Sequence, residues 1–209
     1  VKASIASPSR SRRYAQLAQG FWRPTLTPTL SLTGRGRPEG PGEGLQVLQR
    51  EYDRLFAHRT EILCPIYEAE YDRHRALTQG TTLADIAGFY RAFGLEVATS
   101  ERPDHLALEL EFMGALTYKE ALALESGRLE ETELCRDAQR KFLEAHLGRW
   151  VGLFAESVLQ QSQNDFYLRL AAELREFITV ECRSLGAQPQ LAQRFEEEPE
   201  IPIDCPIAR

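Results

Sequence analysis

The sequence predicts an all-α fold, and three observations carry that reading. The stretch from Asp104 to Leu124 is built from Leu, Ala, Glu and Met, strong helix formers, and is apolar on nearly every side. Apolar residues elsewhere recur at three- and four-residue spacing, and no stretch shows the Val/Ile/Thr alternation of a half-buried sheet. Gly and Pro fall at the ends of these periodic runs, where helices stop. At 209 residues and 43% hydrophobic, the chain is long enough for one sizeable core and too short for two. It reads as a single-domain bundle of six to seven helices around the central apolar one.

A first helix is predicted from Arg12 to Trp22, with Tyr14, Leu17, Ala18 and Phe21 on one face and Pro24 as its stop. From Thr25 to Gly44 the chain carries Pro28, Pro38 and Pro41 among several glycines, the composition of a connection rather than a helix. Gly34 and Gly36 inside it form no phosphate loop, because the Gly-Lys-Ser/Thr ending is missing. A second helix runs from Leu45 to His58, setting Leu48, Tyr52, Leu55 and Phe56 on one side. Pro65 makes Cys64 a boundary, and the polar segment from Ile66 to Asp72 is a turn or a single helical turn. Thr82 and Asp85 resemble a capping arrangement, opening a helix to Phe93 that Gly94 closes.

The central helix comes after Asp104. Its alternating start, Leu106-Ala-Leu-Glu-Leu-Glu-Phe112, lacks β-branched residues and continues into a helical run. Glu130, Glu131 and Glu133 suit the positive end of the next helix, whose apolar face is Leu134, Ala138, Phe142 and Ala145, with Gly148 ending or kinking it. Trp150, Phe154 and Val158 continue at four-residue spacing. The last helix spans Asp165 to Leu185 and presents Phe166, Leu170, Leu174, Phe177 and Ile178 before Gly186 and Pro189. The polar tail from Glu196 to Arg209 is expected to lie on the surface or stay mobile.

Charge and cysteine usage narrow the function classes. With 25 Lys+Arg against 31 Asp+Glu, the net charge of −6 disfavours a nucleic-acid backbone and favours a basic peptide. No apolar run approaches the roughly 20 residues of a membrane-spanning helix. Ser11-Arg12-Arg13-Tyr14 looks like the start of a twin-arginine export signal, yet Gln16, Gln19 and Gly20 interrupt the apolar stretch such a signal needs, so the two arginines are expected to begin the first helix instead. Cys64, Cys135, Cys182 and Cys205 are scattered, without the spacing of a zinc site or a disulfide framework, and fit reduced thiols in the cytoplasm. No cofactor is called. His58, His74, His105 and His146 show no ligand spacing, no nucleophile elbow is present, and no catalytic residue stands out. One alternative from another class is a helical metal or haem protein using Cys64 or Cys205, each followed by Pro-Ile.

The candidate functional residues cluster at the start of the central helix. Asp104, His105 and Glu109 are ionisable groups beside apolar ones, and such groups are either structural ties or the polar contacts of a binding site. Tyr90-Arg-Ala-Phe-Gly-Leu95, Pro103-Asp-His-Leu106, Glu109-Leu-Glu-Phe-Met113 and Lys119-Glu-Ala121 resemble the signature of the TorD/DmsD/NarJ group of redox-enzyme maturation chaperones. Phe142-Leu-Glu-Ala-His-Leu147, Phe166-Tyr-Leu-Arg-Leu-Ala171 and Tyr14 to Phe21 extend that resemblance over most of the chain.

The resemblance implies a cytoplasmic, all-helical, non-enzymatic chaperone. Its partners would be the apo catalytic subunit of a DMSO-reductase-type molybdenum enzyme and that subunit's twin-arginine signal peptide, whose export it delays. It also implies peptide recognition by Asp104 and His105, with Tyr90 and Glu109 nearby. Carboxylates take guanidinium groups in paired hydrogen bonds, so Asp104 and Glu109 are the expected arginine contacts, with Tyr90, Phe112 and Met113 as apolar wall. The bland alternatives stay open: Asp104 as a helix-start residue, His105 as a capping or core imidazole, Glu109 paired with an internal Arg, and the three apolar residues as core. Glu111 and Glu120 read as solvated or intramolecular.

Overall fold

The computed structural model describes residues 8–24, 43–57 and 62–192. Seven α-helices lie among them: α1 (Pro8–Phe21), α2 (Glu43–Phe56), α3 (Arg75–Ala92), α4 (Leu106–Glu125), α5 (Leu129–Ala145), α6 (Leu147–Gln161) and α7 (Asp165–Leu185), with one 3-10 turn at Glu68–Tyr71. No strand occurs among the described residues; one isolated antiparallel bridge joins Tyr67 to His105. The chain is therefore all-α. Most of the Pro/Gly-rich connection, the tail, His58 and Cys205 fall outside the described residues.

Helix α4 is the centre of the bundle, packed between α1 and α5, while α6 lies on α5 and α7. Leu106, Leu110, Met113 and Leu116 on one side and Phe112 on another are all buried, which is why the sequence of this helix is apolar nearly all round. Phe21, Phe56, Phe154 and Tyr167 pack edge to face or offset at one end of the core. Tyr90, Phe112, Phe142 and Phe89 do the same at the other end.

Four elements differ from the sequence-based expectation. Helix α1 begins at Pro8, a turn before Arg12, so Arg12 and Arg13 lie inside it rather than at its start. Helix α3 begins at Arg75, a full two turns before Thr82, whose hydroxyl donates to Thr78 O inside the helix. Asp72 organises its start, accepting from His74 N–H (2.9 Å) and from the Thr78 hydroxyl (2.8 Å). On α5 the buried stripe is Thr132, Cys135, Ala138, Gln139 and Phe142, which turns Leu134 outward at 61% exposure. On α7 it is Tyr167, Ala171, Leu174 and Ile178, so Phe166 stands outside by one position and is exposed. Leu122 and Leu124 are also exposed, on the outward side of the last turns of α4, whose inward side buries Glu120, Ala121 and Ala123.

The break between α5 and α6 falls at His146, and Gly148 just after it is required by close approach: a Cβ there would lie 2.5 Å from Leu143 O. Gly94 and Gly186 close α3 and α7 with φ of +70° and +69°, as their positions predict.

A buried ionic tie joins four helices. Arg10 of α1 donates from Nε to Glu181 Oε1 on α7 (3.0 Å), from Nη1 to Glu120 Oε2 on α4 (3.3 Å) and from Nη2 to Gln139 Oε1 on α5 (3.0 Å). The Tyr14 hydroxyl donates to Glu181 Oε2, and Arg136 Nε to Glu120 Oε1. Glu120 is thus intramolecular and fully buried. The Arg12-Arg13 pair lies on the outer face of the same helix, with Arg13 paired to Glu173 and set over the Phe177 ring.

Candidate functional site: the start of the central helix and the depression beside it

The segment before the 3-10 turn folds back onto the residues that precede α4. Glu68 N–H donates to Asp104 O and Leu106 N–H to Ile66 O, each at 3.0 Å. This pairing seals the helix start. Asp104 is 0% exposed, and its carboxylate takes Arg102 in a two-point contact (Nε to Oδ1 3.0 Å, Nη2 to Oδ2 2.6 Å) while Oδ2 also accepts Ala69 N–H at 3.1 Å. Arg102 in turn stacks over the Tyr67 ring.

His105, at 2% exposure, is the N-cap of α4: its Nδ1 accepts Ala107 N–H at 3.1 Å. The ring lies parallel to Trp22 (centroids 5.0 Å apart) and edge-on to Tyr67. Nδ1 accepts only when the imidazole is neutral, and burial, against the weaker opposing charge of Glu101, lowers its pKa from 6.5 to about 4. The unfolded chain therefore takes up a proton as pH falls through 6.5, and the folded chain does so only near 4, so this contribution to stability is present above 6.5 and is lost as pH falls toward 4. Asn, which caps equally well and does not titrate, removes the effect. Between those two pH values the melting temperature of the wild type should fall a few degrees more than that of His105→Asn, measured by thermal melts; parallel pH profiles would contradict the capping role.

Glu109 lies one turn into α4 and is 0% exposed. Trp150 Nε1 donates to its Oε2 at 3.3 Å, and no donor faces its Oε1. Burial above all, then the negative charges of Glu68 and Asp104, push its pKa well above the ordinary carboxyl range. Glu68 faces His146, whose Nδ1 is 3.1 and 3.2 Å from its two carboxyl oxygens. Met113 is wholly within the core. Asp104, His105, Glu109 and Met113 thus all point inward, each with internal neighbours, and the carboxylates anticipated as arginine contacts are enclosed.

Tyr90 and Phe112 are placed differently. The Tyr90 hydroxyl donates to Pro103 O (2.8 Å), and the two rings pack 4.9 Å apart. Both line an open depression of about 500 Å³ between the end of α1, α3, the 95–99 segment and α4. Its walls are apolar, formed by Trp22, Leu95, Val97, Leu108 and Ala115 with Tyr90 and Phe112, and its carboxylates are Glu96 and Glu111. Trp22 Nε1 donates to Glu111 Oε1 at 2.7 Å, fixing the indole as one wall. Trp22 and Glu96 are not among the residues the sequence singles out, and Glu111, read there as solvated or intramolecular, is both exposed and bonded to Trp22. A signal for Glu111 is nonetheless present there, because Leu108, Glu111, Phe112 and Ala115 stand at i, i+3, i+4 and i+7 on one face.

The alternative built on thiolate ligation fares poorly at Cys64. Its thiol is buried, and burial pushes its pKa from 9.0 up to about 12, the opposite of what a metal-binding thiolate needs. Among the described residues no group of three or more His, Cys, Asp or Glu side chains is arranged to hold a metal ion, and no helix is long and apolar enough to cross a membrane.

The sequence profile described as "Nitrate reductase delta subunit" matches residues 15–156. The chain belongs to that family. The matched region runs from α1 into α6 and so contains the sealed helix start and the whole depression. Among family relatives, the chlorate reductase assembly chaperone protein of Ideonella dechloratans is 30% identical over 187 residues, covering 88% of this chain and 93% of its own. The selenate reductase assembly chaperone protein of Thauera selenatis is 29% identical, with coverage of 86% and 92%. The perchlorate reductase assembly chaperone protein of Dechloromonas aromatica (strain RCB) is 38% identical over 140 residues, covering 65% of this chain and 62% of its own.

Proposed function

We propose that this chain is a cytoplasmic, non-catalytic assembly chaperone. It holds the cofactor-free catalytic subunit of a DMSO-reductase-type molybdenum oxidoreductase, and takes an arginine-bearing apolar segment of that subunit, such as its signal peptide, in the depression beside α4. Family membership and the names of the relatives support the first part. The observation that carries the second is the make-up of the depression, apolar walls with two carboxylates, Glu96 and Glu111, which suits a segment combining apolar side chains and guanidinium groups. Tyr90 and Phe112 serve as wall; Asp104, His105, Glu109 and Met113 hold that wall in position from inside.

The test is a calorimetric titration of this chain with the cofactor-free catalytic subunit of such an oxidoreductase, one that carries an N-terminal signal, repeated with that signal removed. Glu96→Gln combined with Glu111→Gln keeps an acceptor for Trp22 and removes both charges. A charge-assisted hydrogen bond contributes about 1.5–3 kcal/mol, so affinity should fall about tenfold or more with the melting temperature little changed. Unchanged affinity in the double variant would exclude the depression as the arginine site. Full binding of the signal-free subunit would place the main contact on the client body.

A further inference from the structure

Trp22 is fastened on both sides along the chain. Its N–H donates to Ala18 O at the end of α1 (3.2 Å), Arg23 after it takes Asp53 of α2 in a two-point contact (3.0 and 2.9 Å), and Pro24 O accepts from Gln49 Nε2 of α2 (2.7 Å). The indole is therefore a fixed wall of the depression rather than a flap over it. Its ring lies against buried His105 with 11° between the planes, and its Nε1 reaches along α4 to Glu111. Glu111 is exposed, and among the described residues neither it nor Glu96 forms an ion pair. Arg23, the cation beside Trp22, is engaged with Asp53. An indole N–H is a neutral donor, so it orients the carboxylate through Oε1 without balancing its charge.

A carboxylate fixed at the edge of an aromatic ring suits a guanidinium better than an ammonium. The guanidinium is planar, weakly hydrated and forked, so it lies on an aromatic face while donating to an acid at the rim of the same ring. The ammonium is compact and strongly hydrated, and gains little from leaving water for a half-buried wall. We infer that Trp22 and Glu111 together form an arginine-selective subsite of the depression. The guanidinium of the incoming segment lies along the indole on the side away from His105 and donates to Oε2 of Glu111, the oxygen that Trp22 leaves free. Charge match alone, on which this subsite rests as proposed above, would accept lysine as readily; the indole is what tells the two cations apart.

Two synthetic peptides test the subsite: the N-terminal signal of such a catalytic subunit, and the same peptide with every arginine replaced by lysine. Calorimetry on the wild-type chain should find the lysine peptide about tenfold weaker, having lost a stacking contact and part of a charge-assisted bond. Trp22→Leu keeps an apolar wall and should bring the two peptides within about twofold of each other by weakening the arginine form. Trp22→Phe keeps an aromatic face without the N–H and should retain part of the preference. A reading on the wild type needs no variant to fold. The chain has two tryptophans, and Trp150, buried and bonded to Glu109, serves as the internal reference. At saturation the Trp22 indole N–H signal in NMR should shift with the arginine peptide far more than with the lysine peptide. Equal affinities in the wild type, an unchanged ratio in Trp22→Leu, or equal shifts of the Trp22 signal would overturn the selectivity. Weaker binding by the Glu96/Glu111 double variant would in that case still uphold the depression as the site for a basic segment. Failure of both peptides to bind the wild type would remove the depression reading and this subsite with it.

Discussion

Arg10→Ala should lower the unfolding free energy by about 3–5 kcal/mol, the cost of leaving buried charges without their partner, and with it the melting temperature by about 10 °C. The guanidinium reaches Glu181, Glu120 and Gln139 from inside the bundle. Burial works against its charge, but the hydrogen bond to Glu181 and the charges of Glu181, Tyr14 and Glu120 outweigh burial and raise its pKa. Removing Arg10 leaves Glu181 with the Tyr14 hydroxyl and no guanidinium beside its carboxylate, whereas Glu120 retains Arg136. Glu181 is therefore the group that suffers. The double variant Arg10→Met with Glu181→Leu removes both charges and should be clearly more stable than Arg10→Met alone. Arg13→Ala, on the exposed face of the same helix and paired with the half-exposed Glu173, should change stability by less than about 1 kcal/mol. Urea denaturation of the four proteins checks the series; similar losses for Arg10→Ala and Arg13→Ala would show that the tie contributes no more than a surface pair.

The contrast between Arg10 and Arg13 shows what the sequence could and could not convey. Local periodicity reports which face of a helix is apolar, and on that basis α4 and the face of α1 formed by Tyr14, Leu17, Ala18 and Phe21 were readable. It says nothing of which polar residue crosses to which. Arg10 and Glu181 are 171 positions apart, and Asp104 meets Ala69 across 35. The start of α3 was misplaced because Gly80 lies inside the helix and the organising Asp72 sits before a stretch of charged residues. At the site, the sequence shows which ionisable and apolar residues stand near the start of α4 but not which way their side chains point. Asp104, His105 and Glu109 close the helix start from within, and the acids that reach the depression are Glu96, in the segment after α3, and Glu111, the one outward position among buried neighbours on the first turns of α4.

Asp104→Ala decides between those directions, and it should cost about 3 kcal/mol. The substitution removes the two-point contact with Arg102 and strips the buried Ala69 N–H of its acceptor. A lost charged hydrogen bond and an unsatisfied buried donor are each worth about 1–3 kcal/mol, and Arg102, itself partly exposed and close to Glu70, recovers some of the loss by turning to solvent. Asp104→Asn keeps an acceptor for Ala69 N–H while giving up the charge, so it should fall between the wild type and Asp104→Ala. Because the segment from Ile66 to Ala69 is bonded to this helix start, Asp104→Ala should also speed amide exchange at Ala69. Client affinity, compared at a temperature where all variants are folded, should then change much less for Asp104→Ala than for the Glu96/Glu111 pair. A variant Asp104→Ala with an unaltered melting temperature and abolished client binding would reverse the assignment, making this carboxylate a contact that becomes exposed when the client arrives.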